Sequence, residues 1–226
     1  FKVDIDEITK ESELRQKGKI AELALGYQGG VKALVSMGAY NMNLCESELI
    51  EIVRAFRSSN TNIVKLWNTV EKAFIEAVNN KSIVHIDKNI SFIYEGNILF
   101  IKLPSGRRLS YIRPKIDYNN AFNKSIITYE GVDSTTKKNT RLTTYGGKLV
   151  ENIVQAIARD VLGEAMMNLR NKGFNIVMHV HDEIVLEVEN GVSSVEKVCE
   201  IMCKENRYLK GLNLRADGFE SNYYKK

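Results

Sequence analysis

Two short stretches carry side chains suited to chemistry rather than to packing. In Met178-His179-Val180-His181-Asp182-Glu183-Ile184-Val185, two imidazoles and two carboxylates interrupt flanks, Phe174–Met178 and Ile184–Val188, that read as strand. A tight hairpin with Asp182-Glu183 at its corner projects carboxylates from rigid strands, and hard cations such as Mg²⁺ share such oxygens with substrate phosphates. Turn chemistry alone also favours acids at a corner, where they hydrogen-bond the local backbone. His179 and His181 admit a third reading, a Zn²⁺ or Fe²⁺ hydrolase, because alternate strand residues share a face. That site needs a further ligand in register, and the remaining histidine, His85, falls in a different predicted hairpin.

The second stretch is Arg15 to Tyr27. Arg15, Lys19, Leu23 and Tyr27 step by four, which on a helix puts all four on one face. A triphosphate would lie against its cationic end, with a bidentate contact from Arg15 and a point charge from Lys19, while a base stacks towards Leu23 and Tyr27. The plain alternative is a solvated basic turn followed by a core stripe. A polyphosphate-binding face and a metal-binding corner are together the two halves of a phosphoryl-transfer site, where the protein positions groups and neutralises charge.

Elements able to position these residues follow from periodicity. Ser12 to Met37 reads as a helix, a glycine hinge at Gly26 and Gly29-Gly30, and a second helix; Ser47 to Asn79 holds two more, interrupted at Ser58–Thr61. From Ile83 the period drops to two, with turns at Glu95-Gly96-Asn97 and Pro104-Ser105-Gly106, which predicts a β-hairpin or meander. Ile126–Tyr129 adds a strand before a polar linker over 133–139. A long helix is expected from Gly147 to Asn171, stopped by Gly173, with Leu149, Ile153, Ala156, Ile157, Val161, Ala165 and Leu169 on its apolar face. The hairpin of Asp182 follows, and then an amphipathic helix over Ser193–Asn206.

Composition bounds the class. The chain has 226 residues, 44% of them hydrophobic, enough for one large domain or two lobes. A net charge of +4 permits a polyanionic partner without demanding one. Three cysteines, Cys45, Cys199 and Cys203, are an odd number; Cys199 and Cys203 sit four apart on a predicted helix without a second Cys/His pair and read as packing thiols. With no signal-like segment at its start, the cytoplasm is the expected compartment. No apolar run approaches the ~18 residues of a membrane span, so no membrane partner is expected. The opening Phe1-Lys2-Val3-Asp4 lacks an initiator Met, from which we expect a segment of a longer polypeptide.

At this point the residues resemble a known family. Arg15-x3-Lys19-x3-Leu23-x3-Tyr27 resembles motif B on the fingers helix of family A DNA polymerases, and His181-Asp182-Glu183 resembles their motif C in the palm. Gln155, four residues after Glu151 on the long helix, falls where the family has a glutamine reading the primer–template minor groove. AELALGYQGG and YGGKLVENIVQAIARD are most similar to the phage or prophage branch. Leu23 stands where the family has Phe or Tyr, Gln28 where it has Gly after the tyrosine, and Glu151 where many members have Asn.

The resemblance implies an α+β fold, the C-terminal part of a right-hand polymerase: fingers helices over 1–82, a β-meander and linker over 83–146, and a palm portion with an antiparallel sheet over 147–226. It implies transfer of a nucleotidyl group from a dNTP to a primer 3′-hydroxyl on template DNA, with two Mg²⁺ ions in the complete site. Asp182 would be the metal ligand and Glu183 its neighbour in catalysis. Lys19 and Arg15 would hold the triphosphate, Lys19 also donating a proton to pyrophosphate. Leu23 and Tyr27 would abut the nascent pair, His181 and Gln155 would contact DNA, and the glycine hinge would pivot as the fingers close. The family's other catalytic aspartate, in motif A, is missing before Arg15; Asp4 and Asp6 lie too near the helix to replace it. The isolated chain is therefore expected to be inactive without the N-terminal part of the polymerase, or to be a DNA- or nucleotide-binding fragment.

Overall fold

The structure is a computed structural model and describes residues 8–9, 12–42, 44–119 and 124–225; Asp4 and Asp6 lie outside them. It is a mixed α+β fold with an antiparallel sheet, in two compact units: 1–102 with 108–153, and 103–107 with 154–226.

The first unit opens with helices α1 (Glu13–Leu25), α2 (Val31–Ser36), α3 (Glu46–Ser59) and α4 (Thr61–Asn80). Ala24, Leu25, Leu34, Ala39 and Leu49 form one buried cluster, because the apolar positions of α1, α2 and α3 recur at helical spacing and face inward. Gly29 permits the bend between α1 and α2: a Cβ there would sit 1.9 Å from the Ala24 carbonyl oxygen, so only glycine fits. Trp67 on α4 donates its indole N–H to the Gly26 carbonyl at 3.0 Å, tying the end of α1 to α4.

Six strands then form an antiparallel meander in sequence order: β1 (Ile83–His85), β2 (Ser91–Glu95), β3 (Ile98–Lys102), β4 (Arg108–Asn119), β5 (Lys124–Val132) and β6 (Asn139–Thr144). Helix α4 packs on one face, where the Phe74 ring meets Phe92 at 6.4 Å and Tyr111 at 5.3 Å, both edge-on. The sheet is larger than periodicity predicted. The polar linker is a tight turn, in which the Asp133 carboxylate accepts from the amides of Thr135 and Thr136, and it leads into β6, whose Asn-Thr-Arg-Leu-Thr-Thr shows no apolar alternation. In β4 the register shifts between Ile112 and Lys115, a bulge that accommodates Pro114, which has no N–H to give a ladder.

Tyr111 is 3% exposed, and its hydroxyl accepts a hydrogen bond from Asn152 Nδ2 at 2.9 Å. Burial pushes its pKa up from 10.0 to about 12, the Asn152 contact opposing and the nearby Tyr129 adding to the rise. A folded pKa above the unfolded one favours the neutral phenol in the fold, so the stability this group contributes is complete below pH 10.0 and is lost as pH rises towards about 12. The loss amounts to roughly 2–3 kcal/mol. Urea midpoints of the first unit between pH 9 and 12 should show this decline, and Tyr111→Phe should flatten it.

Helix α5 (Gly146–Asn171) begins in the first unit. Two of its orphan N–H groups are capped by side chains: Gly146 donates to Glu71 Oε2 and Gly147 to Gln28 Oε1, both at 2.8 Å. Gln28 has φ +70°, the left-handed region that suits glycine, and its side chain does what glycine cannot by closing the start of α5.

In the second unit α5 continues, followed by β7 (Asn175–Val180), β8 (Glu183–Glu187) and α6 (Val195–Met202). The segment 103–107 docks on α5 within this unit: Arg107 Nε and Ser105 Oγ bond the two oxygens of Asp160 at 2.7 and 2.6 Å, and Arg107 Nη2 donates to the Ala156 carbonyl. Helix α6 is shorter than expected. It stops at Met202, and four residues further on Asn206, 2% exposed, accepts from the amide of Tyr208 in a turn. Among the described residues no helix is long and apolar enough to cross a membrane.

Candidate functional site

The residues singled out by sequence fall in both units. Arg15, Lys19 and Leu23 lie on α1, but the helix ends at Leu25, so Tyr27 sits in the turn that follows rather than on the helix face. The cause is local: Gln28 donates its N–H three residues back to Leu25 and then takes a positive φ, and the helical ladder stops. Leu23 is 52% exposed while its neighbours Ala24 and Leu25 are buried, so the Arg15–Lys19–Leu23 face is turned to solvent and is not a core stripe. Arg15 and Lys19 are exposed and have no ion-pair partner among the described residues, whereas Lys17 pairs with Glu13 at 3.3 Å.

In the second unit the hairpin corner is His181-Asp182, between Val180 and the paired Glu183. Glu183 is thus the first residue of β8, one place beyond the corner where sequence put it. His181 has φ +50°, as the first position of a two-residue hairpin turn requires; the left-handed region costs a non-glycine residue about 1–2 kcal/mol. His181 is therefore a turn residue and does not continue the strand alternation that would have set it beside His179. We expect His181→Gly to leave hairpin stability within about 1 kcal/mol of the parent, and His181→Val, β-branched and disfavoured at positive φ, to destabilise it by about 1–2 kcal/mol. Amide exchange across β7–β8 reads both.

Gln155, His181 and Asp182 line one cavity of about 770 Å³ within this unit. Its floor is α5, its rim the hairpin corner, and Cys203 and the segment Leu214–Ala216 close another side. Glu183 is not among its lining residues. Two basic residues in the cavity wall escaped the sequence reading, Arg159 and Arg215. Arg159 follows Gln155 by four on α5, so helical spacing could have found it. Its guanidinium spans the ring of His179, Nη1 to Nδ1 at 3.2 Å and Nη2 to Nε2 at 3.1 Å. A neutral imidazole accepts at one nitrogen only, so one contact is a hydrogen bond donated by arginine and the other a close approach to the ring.

Asp182 is exposed at the corner, a hard oxygen donor held by a rigid hairpin. Among the described residues no group of three His, Cys, Asp or Glu side chains is gathered to hold a metal ion. His85 is in the first unit, its Nδ1 2.8 Å from Ser91 Oγ.

No protein-family model and no solved structure matches the chain. Across all 226 residues it is 54% identical to part of a protein of Bacillus phage SP02 described as a DNA polymerase. The chain spans about a third, 35%, of that protein's length.

Proposed function

We propose that the chain is the C-terminal part of a template-directed family A DNA polymerase of phage or prophage origin, with fingers helices over 1–82 and part of the palm over 147–226. The observation that carries this reading is 54% identity, unbroken over 226 residues, to part of a phage DNA polymerase. The exposed Arg15–Lys19–Leu23 face and the cavity shared by Gln155, His181 and Asp182 supply side chains that such an activity uses. In this reading the primer 3′-hydroxyl attacks the α-phosphate of a dNTP and pyrophosphate leaves, in the cytoplasm of a bacterial host. Arg15 clamps the triphosphate, and Lys19 neutralises it and passes a proton to the departing pyrophosphate. Leu23 and Tyr27 abut the nascent base pair, and Gln155 and His181 hold the primer–template end.

Asp182 fits one ligand of a Mg²⁺ site, which takes one or two carboxylates together with water and substrate phosphates. Glu183 supports it from the next position, and the second carboxylate belongs to motif A on upstream polypeptide. Two Mg²⁺ ions, when bound, supply charge neutralisation at the attacking and leaving oxygens. Because the chain is 35% of its relative's length and offers one corner carboxylate to the cavity, a second reading is a DNA- or nucleotide-binding fragment without activity of its own.

Templated primer extension with Mg²⁺ and all four dNTPs separates the two. We expect none from the chain alone and extension once the upstream polypeptide is added. Extension by the chain alone would mean that one of its own residues replaces motif A, and none in either mixture leaves the binding fragment.

A further inference from the structure

The six-stranded sheet has no part in the site just described, and its uncovered face is unusual. Residues opposed across strands share a face. Phe92, Leu99, Ile101 and Tyr111 are buried on the α4 side, whereas the opposite side carries Ile83 paired with Ile93, Ile93 with Phe100, Ile98 with Ile112, and Lys102 with Arg108. Ile83 is 56% and Ile112 46% exposed. A merely solvated antiparallel face alternates polar residues outward; contiguous apolar side chains rimmed by charge mark a binding surface.

The charges say what it binds. Lys102 and Lys115 are exposed and have no ion-pair partner among the described residues, and Arg108 lies over the Phe100 ring with its guanidinium carbon 5.5 Å from the centroid. The β4 bulge sets two residues, Arg113 and Pro114, against one, which returns Lys115 to the face of Ile112 although the two are an odd number apart. Three carboxylates share this face: Glu130 is held between Arg113 at 2.8 Å and Arg141 at 3.1 Å, Glu95 pairs with Arg108 at 3.5 Å, and Asp117 stands two residues from Lys115, so that Lys102, Arg108, Arg113, Lys115 and Arg141 outnumber them. Cations beside an aromatic and aliphatic platform on an open sheet suit a chain of phosphates bearing flat bases.

We infer that the open face of the β1–β6 sheet binds a single DNA strand, with phosphates against Lys102, Arg108 and Lys115 and a base against Phe100. This rests on the DNA-synthesis reading for the presence of such a strand. The test is fluorescence anisotropy of a labelled oligothymidylate with the 226-residue chain over a salt series, without Mg²⁺ or dNTPs, folding being checked by circular dichroism. Lys102→Gln combined with Arg108→Gln should weaken binding about tenfold and lower the salt slope by about 1.4, or about 0.7 per lost charge. Phe100→Ala should weaken it at least about fivefold through lost stacking.

Because Phe100 contributes to packing, the exposed Lys102/Arg108 pair keeps the test sound if Phe100→Ala fails to fold. Failure of the wild-type chain to bind the oligonucleotide, or equal binding by a folded double variant, overturns the inference even where extension with the upstream polypeptide succeeds. So does an upstream polypeptide that covers the face and blocks the oligonucleotide, which would make the surface a protein interface. Weakened binding by the sheet variants beside a failure of extension would instead sink the polymerase reading and leave the sheet's role standing.

Discussion

Replacing Asp182 by alanine should lower primer extension by about a thousandfold or more in the polymerase completed with its upstream polypeptide. The carboxylate stands at the corner of a hairpin, on the wall it shares with Gln155 and His181, and in the proposed mechanism it fixes the cation that stabilises charge on the transferring phosphoryl group. Such stabilisation is worth several kcal/mol, and each 1.36 kcal/mol is a factor of ten in rate. Asp182→Asn keeps the shape and removes the charge, so it should fall nearly as far. Glu183→Gln, one residue into β8 and outside the cavity lining, should cost much less, about tenfold. Single-turnover extension under saturating dNTP and Mg²⁺ measures all three; Asp182→Ala within tenfold of the parent would remove Asp182 from the catalytic role.

The largest structural effect is expected from Phe74→Ala. Phe74 is fully buried on α4 and meets Phe92 and Tyr111 edge-on, so it joins the helical layer to the sheet at the centre of the first unit. Truncation removes the transfer energy of the ring and leaves a cavity, together about 3–5 kcal/mol. At about 2–4 °C per kcal/mol for a unit of this size, its melting transition should drop by roughly 6–20 °C. Differential scanning calorimetry beside Leu66→Ala, an exposed position on the same helix, gives the comparison. A drop no larger than that of Leu66→Ala would mean that the Phe74 contacts do not hold the unit together.

Periodicity by itself determined the helices of the first unit, the long α5 and the hairpin around Asp182. Helical spacing of Ile20 and Ala24, or of Leu149, Ile153 and Ala156, is a local consequence of which side chains must leave water. The residue types of the candidate site were legible for the same reason: a four-residue step of Arg15, Lys19 and Leu23 and a carboxylate in a strand–turn–strand need only their own neighbours to be read.

Tertiary structure decided the rest. Strand β6 could not be told from the polar linker by apolar alternation, because Leu142 is its single aliphatic residue, and pairing with β5 makes it a strand. The position of Tyr27 beyond α1 and the left-handed Gln28 reflect a cap given to α5 more than a hundred residues away. Arg159 meets His179 only once the helix and the hairpin are packed within their unit. The bulge at Pro114 reverses the alternation that would have sent Lys115 to the other face of the sheet, a register that is set by pairing with β5. Local spacing reports which residues seek burial or solvent, whereas caps, registers and cavity walls are made by groups distant in the chain, and only the folded molecule brings those together.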